Sequence, residues 1–164
     1  MDPERPGRVR LDPLRVADAA EMVDVLADPG LYAVIGGSPP TLDELTEQYR
    51  RQVVGRSVDG RQVWLNWIVR VEGTAVGYVQ ATVHDGDRAV VAWVIGRPWQ
   101  GRGYATEAGR ELLALLAGRG VSRIEAYIAP GHTPSEQVAA RLGLSATGQL
   151  DPDGEQLWLA VPAP

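Results

Sequence analysis

The sequence predicts an α/β domain in which one sheet carries helices on its faces. Three observations lead there. The spacing of apolar residues changes along the chain, from helical over 19–53 to extended over 62–95, then alternates between the two. The resulting order, β-α-α-β-β-β-α-β-α-β, suits a single layered sheet rather than a helical bundle. A chain of 164 residues with no internal repeat and no long linker fits one domain spanning 1–164.

"RVRLDPL" (8–14) is a short strand closed by a proline turn. Ala19, Met22, Val23 and Leu26 then fall at helical spacing until "DPG" at 28–30 stops them. "SPPTLDEL" opens a second helix, with Thr41 as N-cap and Glu44 completing a capping box. Leu42, Leu45, Tyr49 and Val53 form its apolar face. "QVWLNWIVRV" (62–71), "TAVGYVQATV" (74–83) and "AVVAWVI" (89–95) are three strands joined by turns, an antiparallel meander. The third is apolar throughout, the pattern of a strand buried on both faces. Ala105, Ala108, Leu112 and Leu115 give the next helix its inner face, ending near Gly118 and Gly120. "SRIEAYIA" (122–129) is a further strand. In "HTPSEQVAARLGL", Thr133 reads as N-cap, Pro134 as first helical residue, Glu136 as capping-box acid and Gly143 as the stop. "EQLWLAV" (155–161) closes the domain as a strand.

Composition removes several function classes. Hydrophobic residues make up 45% and charged residues 23%, which is globular rather than disordered. The net charge of −5 argues against broad nucleic-acid binding. No run is long and apolar enough to span a membrane, and "MDPERPGRVR" has no apolar stretch of a secretory signal, so a cytoplasmic protein is expected. With no cysteine there is no disulfide framework, thiolate metal site or cysteine nucleophile. All 16 basic residues are arginine, which excludes a Schiff-base lysine and a Walker-type phosphate loop. Two histidines, His84 and His132, supply a histidine metal site poorly, and no metal is expected.

The informative stretch is "WQGRGYATEA" (99–108), where a strand ending at Ile95 turns and opens a helix through two glycines. The first N–H groups of a helix lack internal partners, and its dipole places about half a positive charge there. Gly101 and Gly103 let a ligand approach the backbone, while Arg102 and nearby Arg97 could neutralise a pyrophosphate. A dinucleotide fingerprint fails because Thr106 stands at the third glycine position. The spacing alone leaves open a strained turn with no ligand.

Gln100-Gly101-Arg102-Gly103-Tyr104-Ala105 matches Gln/Arg-x-x-Gly-x-Gly/Ala, the acyl-coenzyme A signature of the Gcn5-related N-acetyltransferase (GNAT) superfamily. "AWVIGRPWQGRGYATEA", "IAPGHTPSEQVAARLGL" and "RLDPLRVADAAEM" resemble segments of the branch that acetylates ribosomal-protein N-termini, in the same order along the chain. The resemblance implies a mixed, mostly antiparallel sheet splayed between strands 89–95 and 123–128. Pantetheine of acetyl-CoA would lie in that cleft against Trp93, Val94 and Ile95. The pyrophosphate would meet residues 100–105, with Thr106 in the same first turn and His132 and Ser135 on the facing helix start. The implied reaction moves an acyl group from a thioester to an amine, which needs a neutral amine, a polarised carbonyl and a proton for the thiolate.

Residues for that chemistry are unequally supplied. The tyrosine by which some relatives protonate the thiolate corresponds to Ala139, so Ser135 is the candidate acid; its other reading is a helix-start serine bonded to backbone. His132 stands where relatives carry asparagine, with a solvent-facing turn residue as the other reading. The glutamate many relatives carry on the strand before the loop corresponds to Val90. His84 and Glu125 are the remaining candidate bases, against ordinary turn and sheet-face roles. An α-amine with a pKa near ~8 is about 10% neutral at pH 7, against below ~0.1% for a lysine amine near ~10.4. Absence of a base therefore tilts the acceptor toward an α-amine. Trp64 and Trp67 point to opposite faces of one strand; Trp67 and Tyr32, the latter in "LYAVIGGSPPT" (31–41), are the candidate acceptor contacts. The leading expectation is an acetyl-CoA-dependent N-acetyltransferase acting on a small amine or protein N-terminus, as monomer or homodimer, with no nucleic-acid or membrane partner. A longer-acyl variant such as a succinyltransferase, a non-catalytic acyl-CoA sensor and, more remotely, a phosphotransferase are the alternatives.

Overall fold

The computed structural model describes residues 8–160. The strands are β1 (Val9–Pro13), β2 (Gln62–Val71), β3 (Thr74–His84), β4 (Arg88–Ile95), β5 (Arg123–Ile128), β6 (Ser145–Leu150) and β7 (Gln156–Ala160). The helices are α1 (Ala19–Val25), α2 (Tyr32–Ile35), α3 (Leu42–Gln52), α4 (Tyr104–Gly118) and α5 (Thr133–Arg141). One seven-stranded sheet runs β1-β2-β3-β4-β5-β7-β6, antiparallel except between β4 and β5. The expected α/β class and antiparallel meander are present. Two elements were not anticipated: the single turn α2 and the edge strand β6. "SATGQL" is small and polar and every residue of it is exposed, so it carries no periodic signal.

Helices cover both faces. Beneath α4, Ala108, Leu112 and Leu116 are fully buried and pack on a cluster including Val79, Val91 and Ile124. On the other face, Met22 of α1 and Leu45 and Tyr49 of α3 close over Ile68 and Ala75. Three expected core positions lie outside: Leu115, Leu42 and Val53 are each more than 40% exposed. Leu115 and Leu116 both follow Leu112 at helical spacing, and the angle at which α4 meets the sheet selects Leu116. β4 is also not buried on both faces. Ala89, Val91 and Ile95 are buried beneath α4, whereas Val90, Ala92 and Val94 are half-buried on the other face.

Helix ends follow local chemistry unevenly. The Thr41–Glu44 box forms in both directions, with the Glu44 N–H donating to Thr41 Oγ1 (3.1 Å) and the Thr41 N–H donating to Glu44 Oε1 (2.8 Å). The α5 start differs: Thr133 is already helical, His132 occupies the cap position without a side-chain bond, and Glu136 accepts from the Gly131 N–H at 3.3 Å. Its end is as expected. The Leu144 N–H donates to the Ala139 carbonyl and the Gly143 N–H to the Ala140 carbonyl, a Schellman pair.

Arg70 of β2 fixes α1 to the sheet. Its guanidinium meets Asp12 at 3.0 Å, Asp18 at 3.4 Å and Glu21 at 2.8 Å. Glu21 also accepts the Ala75 N–H at 2.9 Å. That N–H, then Arg70, lowers the Glu21 pKa below its ordinary 4.5. Both contacts favour the carboxylate, so the stability they contribute is present above the unfolded value and is lost as pH falls through the lower folded value. Acid unfolding of Glu21→Gln is therefore expected to be less steep than that of the parent below pH 4.5. In chemical denaturation, Leu112→Ala is expected to cost about 2–5 kcal/mol and Leu115→Ala less than about 1 kcal/mol. Equal costs would contradict the observed orientation of α4.

Candidate active site

β4 and β5 pair at three positions only, Arg88–Arg123, Ala89–Ile124 and Val90–Glu125. Beyond Val90, β4 stays with β3 as far as Ile95, and β5 stays with β7 as far as Ile128. The close seat of β4 on β3 depends on Gly77, where a Cβ would run into the Val94 carbonyl oxygen and lie 2.9 Å from the Ile95 Cα. The strands diverge, and the sheet opens between them.

Three cavities meet at this opening. The largest, about 570 Å³, runs from Trp93–Ile95 past the start of α4 to the start of α5. A second, about 360 Å³, fills the gap between β4 and β5 and is bordered by Tyr78, Tyr127, His132, Ser135 and Glu155. A third, about 160 Å³, lies on the α1–α3 face among Tyr32, Tyr49, Tyr78, Gln48, Asn66 and Gln80. Val94 borders all three.

The start of α4 has the geometry of an anion cradle. After Ile95 the chain makes a turn at Arg97–Trp99, and the Gln100 side-chain amide donates to the Ile95 carbonyl at 2.9 Å. Gln100 thus braces the loop against the strand it leaves. Gly101 has φ 79° and Gly103 has φ 84° with ψ 5°, the left-handed conformation, at the N-cap. The first helical bond runs from the Glu107 N–H to the Gly103 carbonyl. The preceding N–H groups of Tyr104, Ala105 and Thr106 are left without helical partners. With the dipole of a 15-residue helix behind them, they favour an anion.

The structure brings most of the expected residues together. Trp93, Val94, Ile95 and Gln100 border the large cavity on one side, and His132 and Ser135 on the other. Gly101, Gly103, Tyr104, Ala105 and Thr106 form its floor at the helix start. Arg102 does not border it; its side chain is exposed to solvent. The bordering cations are Arg97 and Arg141. Arg141 gave no local signal, because only the packing of α5 on α4, with Leu142 against Gly109, carries it there. Arg8 was also not anticipated: its guanidinium lies 5.1 Å from the centre of the Tyr104 ring and pairs with Glu107 at 2.9 Å. Ser135, the third residue of α5, is half-buried, and its hydroxyl has no protein partner among the described residues. The reading of Ser135 as a backbone-capping serine is not realised.

Two candidate bases are elsewhere. His84 ends β3 opposite Arg88, at the far end of β4 from the loop, and borders none of the three cavities. Glu125 is 3% exposed at the closed end of the β4–β5 pair, held by Arg88 at 2.9 Å and Arg123 at 2.7 Å. Its two oxygens are committed to those guanidiniums. Tyr32 borders the small cavity and donates from its hydroxyl to the Leu26 carbonyl at 3.0 Å. Trp67 borders the same cavity while packing against the core beneath α4.

The family model of the GNAT acetyltransferase domain matches residues 8–145. The chain belongs to the GNAT acetyltransferase family. Membership places it among acyl-CoA-dependent N-acyltransferases. Solved structures of the same fold include aminoglycoside acetyltransferase AAC(6')-Ib in complex with coenzyme A (21% identity, 93% of this chain and 94% of that one, TM-score 0.78). A GNAT acetyltransferase from Bacillus anthracis aligns at 18% identity over 96% of both chains with a TM-score of 0.79. RimL, a ribosomal L7/L12 α-N-protein acetyltransferase in complex with coenzyme A, aligns at 13% identity over 94% of both chains with a TM-score of 0.82. No curated protein gives a significant sequence match. Among the described residues, no helix of this GNAT chain is long and apolar enough to cross a membrane.

Among the described residues, the small cavity of this GNAT chain has no charged side chain in its lining. Burial, reinforced by the Tyr32 phenol, pushes the Tyr78 hydroxyl up to about 12, and burial likewise raises Tyr49 and Tyr32. The tyrosine contacts therefore remain neutral at ordinary pH. A phenol with a raised pKa contributes stability that is present below its unfolded value of about 10 and is lost as pH rises through the folded value. In a spectroscopic alkaline titration, Tyr78→Phe is expected to remove a tyrosine that ionises near 12. Removal of one that ionises at the ordinary value would contradict the described burial.

Proposed function

We propose that the protein binds acetyl-CoA in the β4–β5 cleft and transfers the acetyl group to a primary amine by direct attack in a ternary complex. The observation that carries this reading is the convergence of three cavities on Val94. One has an anion cradle, one fills the gap beside Ser135, and one is a small pocket for a second reactant. The protein has no cysteine to form a thioester intermediate, which favours direct transfer.

The residues present fit the coenzyme. The unpartnered N–H groups at the start of α4, with Arg97 and Arg141, would hold the pyrophosphate. The backbone of Trp93, Val94 and Ile95 would hold pantetheine, and an N–H at Val94 or Ile95 would polarise the thioester carbonyl. Acetyl-CoA supplies an activated acyl group whose leaving thiolate needs a proton. Ser135, half-buried with an unengaged hydroxyl, would deliver it, with His132 beside it at the cavity wall supporting that reading.

The acceptor enters the small cavity against Tyr32, while the Trp67 ring stays in the core beneath α4. A lining of phenols, amides and aliphatic groups without a carboxylate disfavours a polycation, because a buried ammonium there would lack a counter-charge. It suits a protein N-terminus or a small amine with few charges. We place the reaction in the cytoplasm, with the enzyme acting as monomer or homodimer.

Calorimetric titration tests the coenzyme site. Micromolar binding of acetyl-CoA is expected for the parent chain, with a loss of about tenfold or more when Gly101 and Gly103 are both changed to valine, a residue disfavoured at positive φ. No binding by the parent would overturn the proposal. In steady-state kinetics, Ser135→Ala is expected to lower kcat by about tenfold or more while leaving the KM for acetyl-CoA unchanged. An unchanged kcat would remove Ser135 from the chemistry.

A further inference from the structure

With His84 and Glu125 displaced from the cleft, and valine at position 90, β4 and β5 bring no free carboxylate to the reacting position. The β6–β7 hairpin does. Glu155, just before β7, borders the cavity between the parted strands, facing Tyr78, Val94, His132 and Ser135. Val94 and Ser135 are residues that the transfer reaction places beside the thioester. The carboxylate and the reacting centre therefore border one cavity.

Glu155 is held firmly by its backbone and left free by its side chain. Asp151 Oδ1 accepts the Glu155 N–H at 2.8 Å and the Asp153 N–H at 3.0 Å, while the Asp151 N–H donates to the Glu155 carbonyl at 2.8 Å. The Glu155 carboxyl has no hydrogen-bond donor and no ion-pair partner among the described residues. The charged and titratable groups around it are Asp151 and Asp153 on its own hairpin, Tyr127 on β5, Tyr78 on β3 and His132 before α5. Arg88 and Arg123, at the other end of β5, are bound to Glu125 and do not border this cavity. Burial first, then the two aspartates, raises the Glu155 pKa. A partly buried carboxylate with acidic neighbours and no counter-ion, facing a reaction centre, is suited to a cationic ligand.

We propose that the Glu155 carboxylate receives the ammonium of the acceptor and is the general base that deprotonates it. This rests on the transfer reaction proposed above. The ammonium gives one proton to Glu155, which passes it to solvent. The neutral nitrogen then forms the N–C bond with the thioester carbonyl carbon, and the C–S bond breaks with its electron pair going to sulfur. The second nitrogen proton is lost as the amide forms, and the thiolate takes one through Ser135. Two protons leave nitrogen; one ends on sulfur and one in water. The neutral cavity beside Tyr78 would hold the body of the acceptor, and the acidic hairpin its reacting amine.

The test compares the parent with Glu155→Gln and Glu155→Asp, using thiol release from acetyl-CoA with glycylglycinamide as an α-amine probe and n-butylamine as a more basic one. For Glu155→Gln, kcat/KM for the amine is expected to fall by about 10²-fold, more for butylamine, and the ascending acid limb of the pH profile is expected to move up to the pKa of the amine itself. Glu155→Asp restores part of the rate. Acetyl-CoA affinity by calorimetry stays unchanged, and carbon-13 carboxyl titration of the free parent shows a glutamate above the ordinary range that is missing from Glu155→Gln. A variant that keeps both the parental rate and the parental acid limb overturns the role of Glu155 while leaving acetyl transfer standing. A parent that binds acetyl-CoA but releases no thiol with either amine overturns the transfer reaction and this inference with it.

Discussion

β4 is held unequally by its two neighbours. β3 pairs with it along its length, from His84–Arg88 to Gly77–Ile95, while β5 pairs with it at three positions before following β7. Backbone groups along a strand edge need partners, and in a continuous sheet the next strand supplies them. Here the edge of β4 beyond Val90 faces a cavity. Everything placed around that cavity follows from the split: α4 begins where β4 ends, α5 begins where β5 ends, and both helix starts face the same opening.

Charge is distributed in agreement with this geometry. Arg70 is taken up by Asp12, Asp18 and Glu21, which hold α1 on the sheet. Arg88 and Arg123 are taken up by Glu125 at the closed end of the β4–β5 pair. Arg8 is taken up by Glu107 at the start of α4. The large cavity retains Arg141 and Arg97, the latter 3.9 Å from Asp28, and the gap retains Asp151 and Glu155. One end of the opening thus favours phosphate and the other favours an ammonium, although the net charge of −5 favours neither in particular.

What could be read from the sequence was local. The glycines around Arg102 marked a helix start that needs left-handed backbone, and the Thr41–Glu44 box forms in both directions. What could not be read depends on how elements meet. Leu115 and Leu116 are equivalent in spacing, and only the docking of α4 separates them. Arg102 lies between the two glycines yet points to solvent, while Arg141, some forty residues later in the chain, borders the cavity through the packing of α5 on α4. Glu125 lies on a strand beside the cleft and still cannot serve it, because its two arginine partners become visible only when β4 and β5 are paired. Glu155 follows a turn of aspartates, and nothing in "DPDGE" says that the hairpin folds back to the parted strands.

The central claim is that the opening between β4 and β5, together with the start of α4, is the coenzyme site. Amide resonances followed during titration with acetyl-CoA test it most directly. The largest shifts are expected at Gly101–Thr106, at Trp93–Ile95 and at Ser135, two separated stretches of chain and the facing helix responding to one ligand. Shifts confined to residues outside the opening, with those amides unmoved, would contradict the account and leave the glycines as a turn between a strand and a helix.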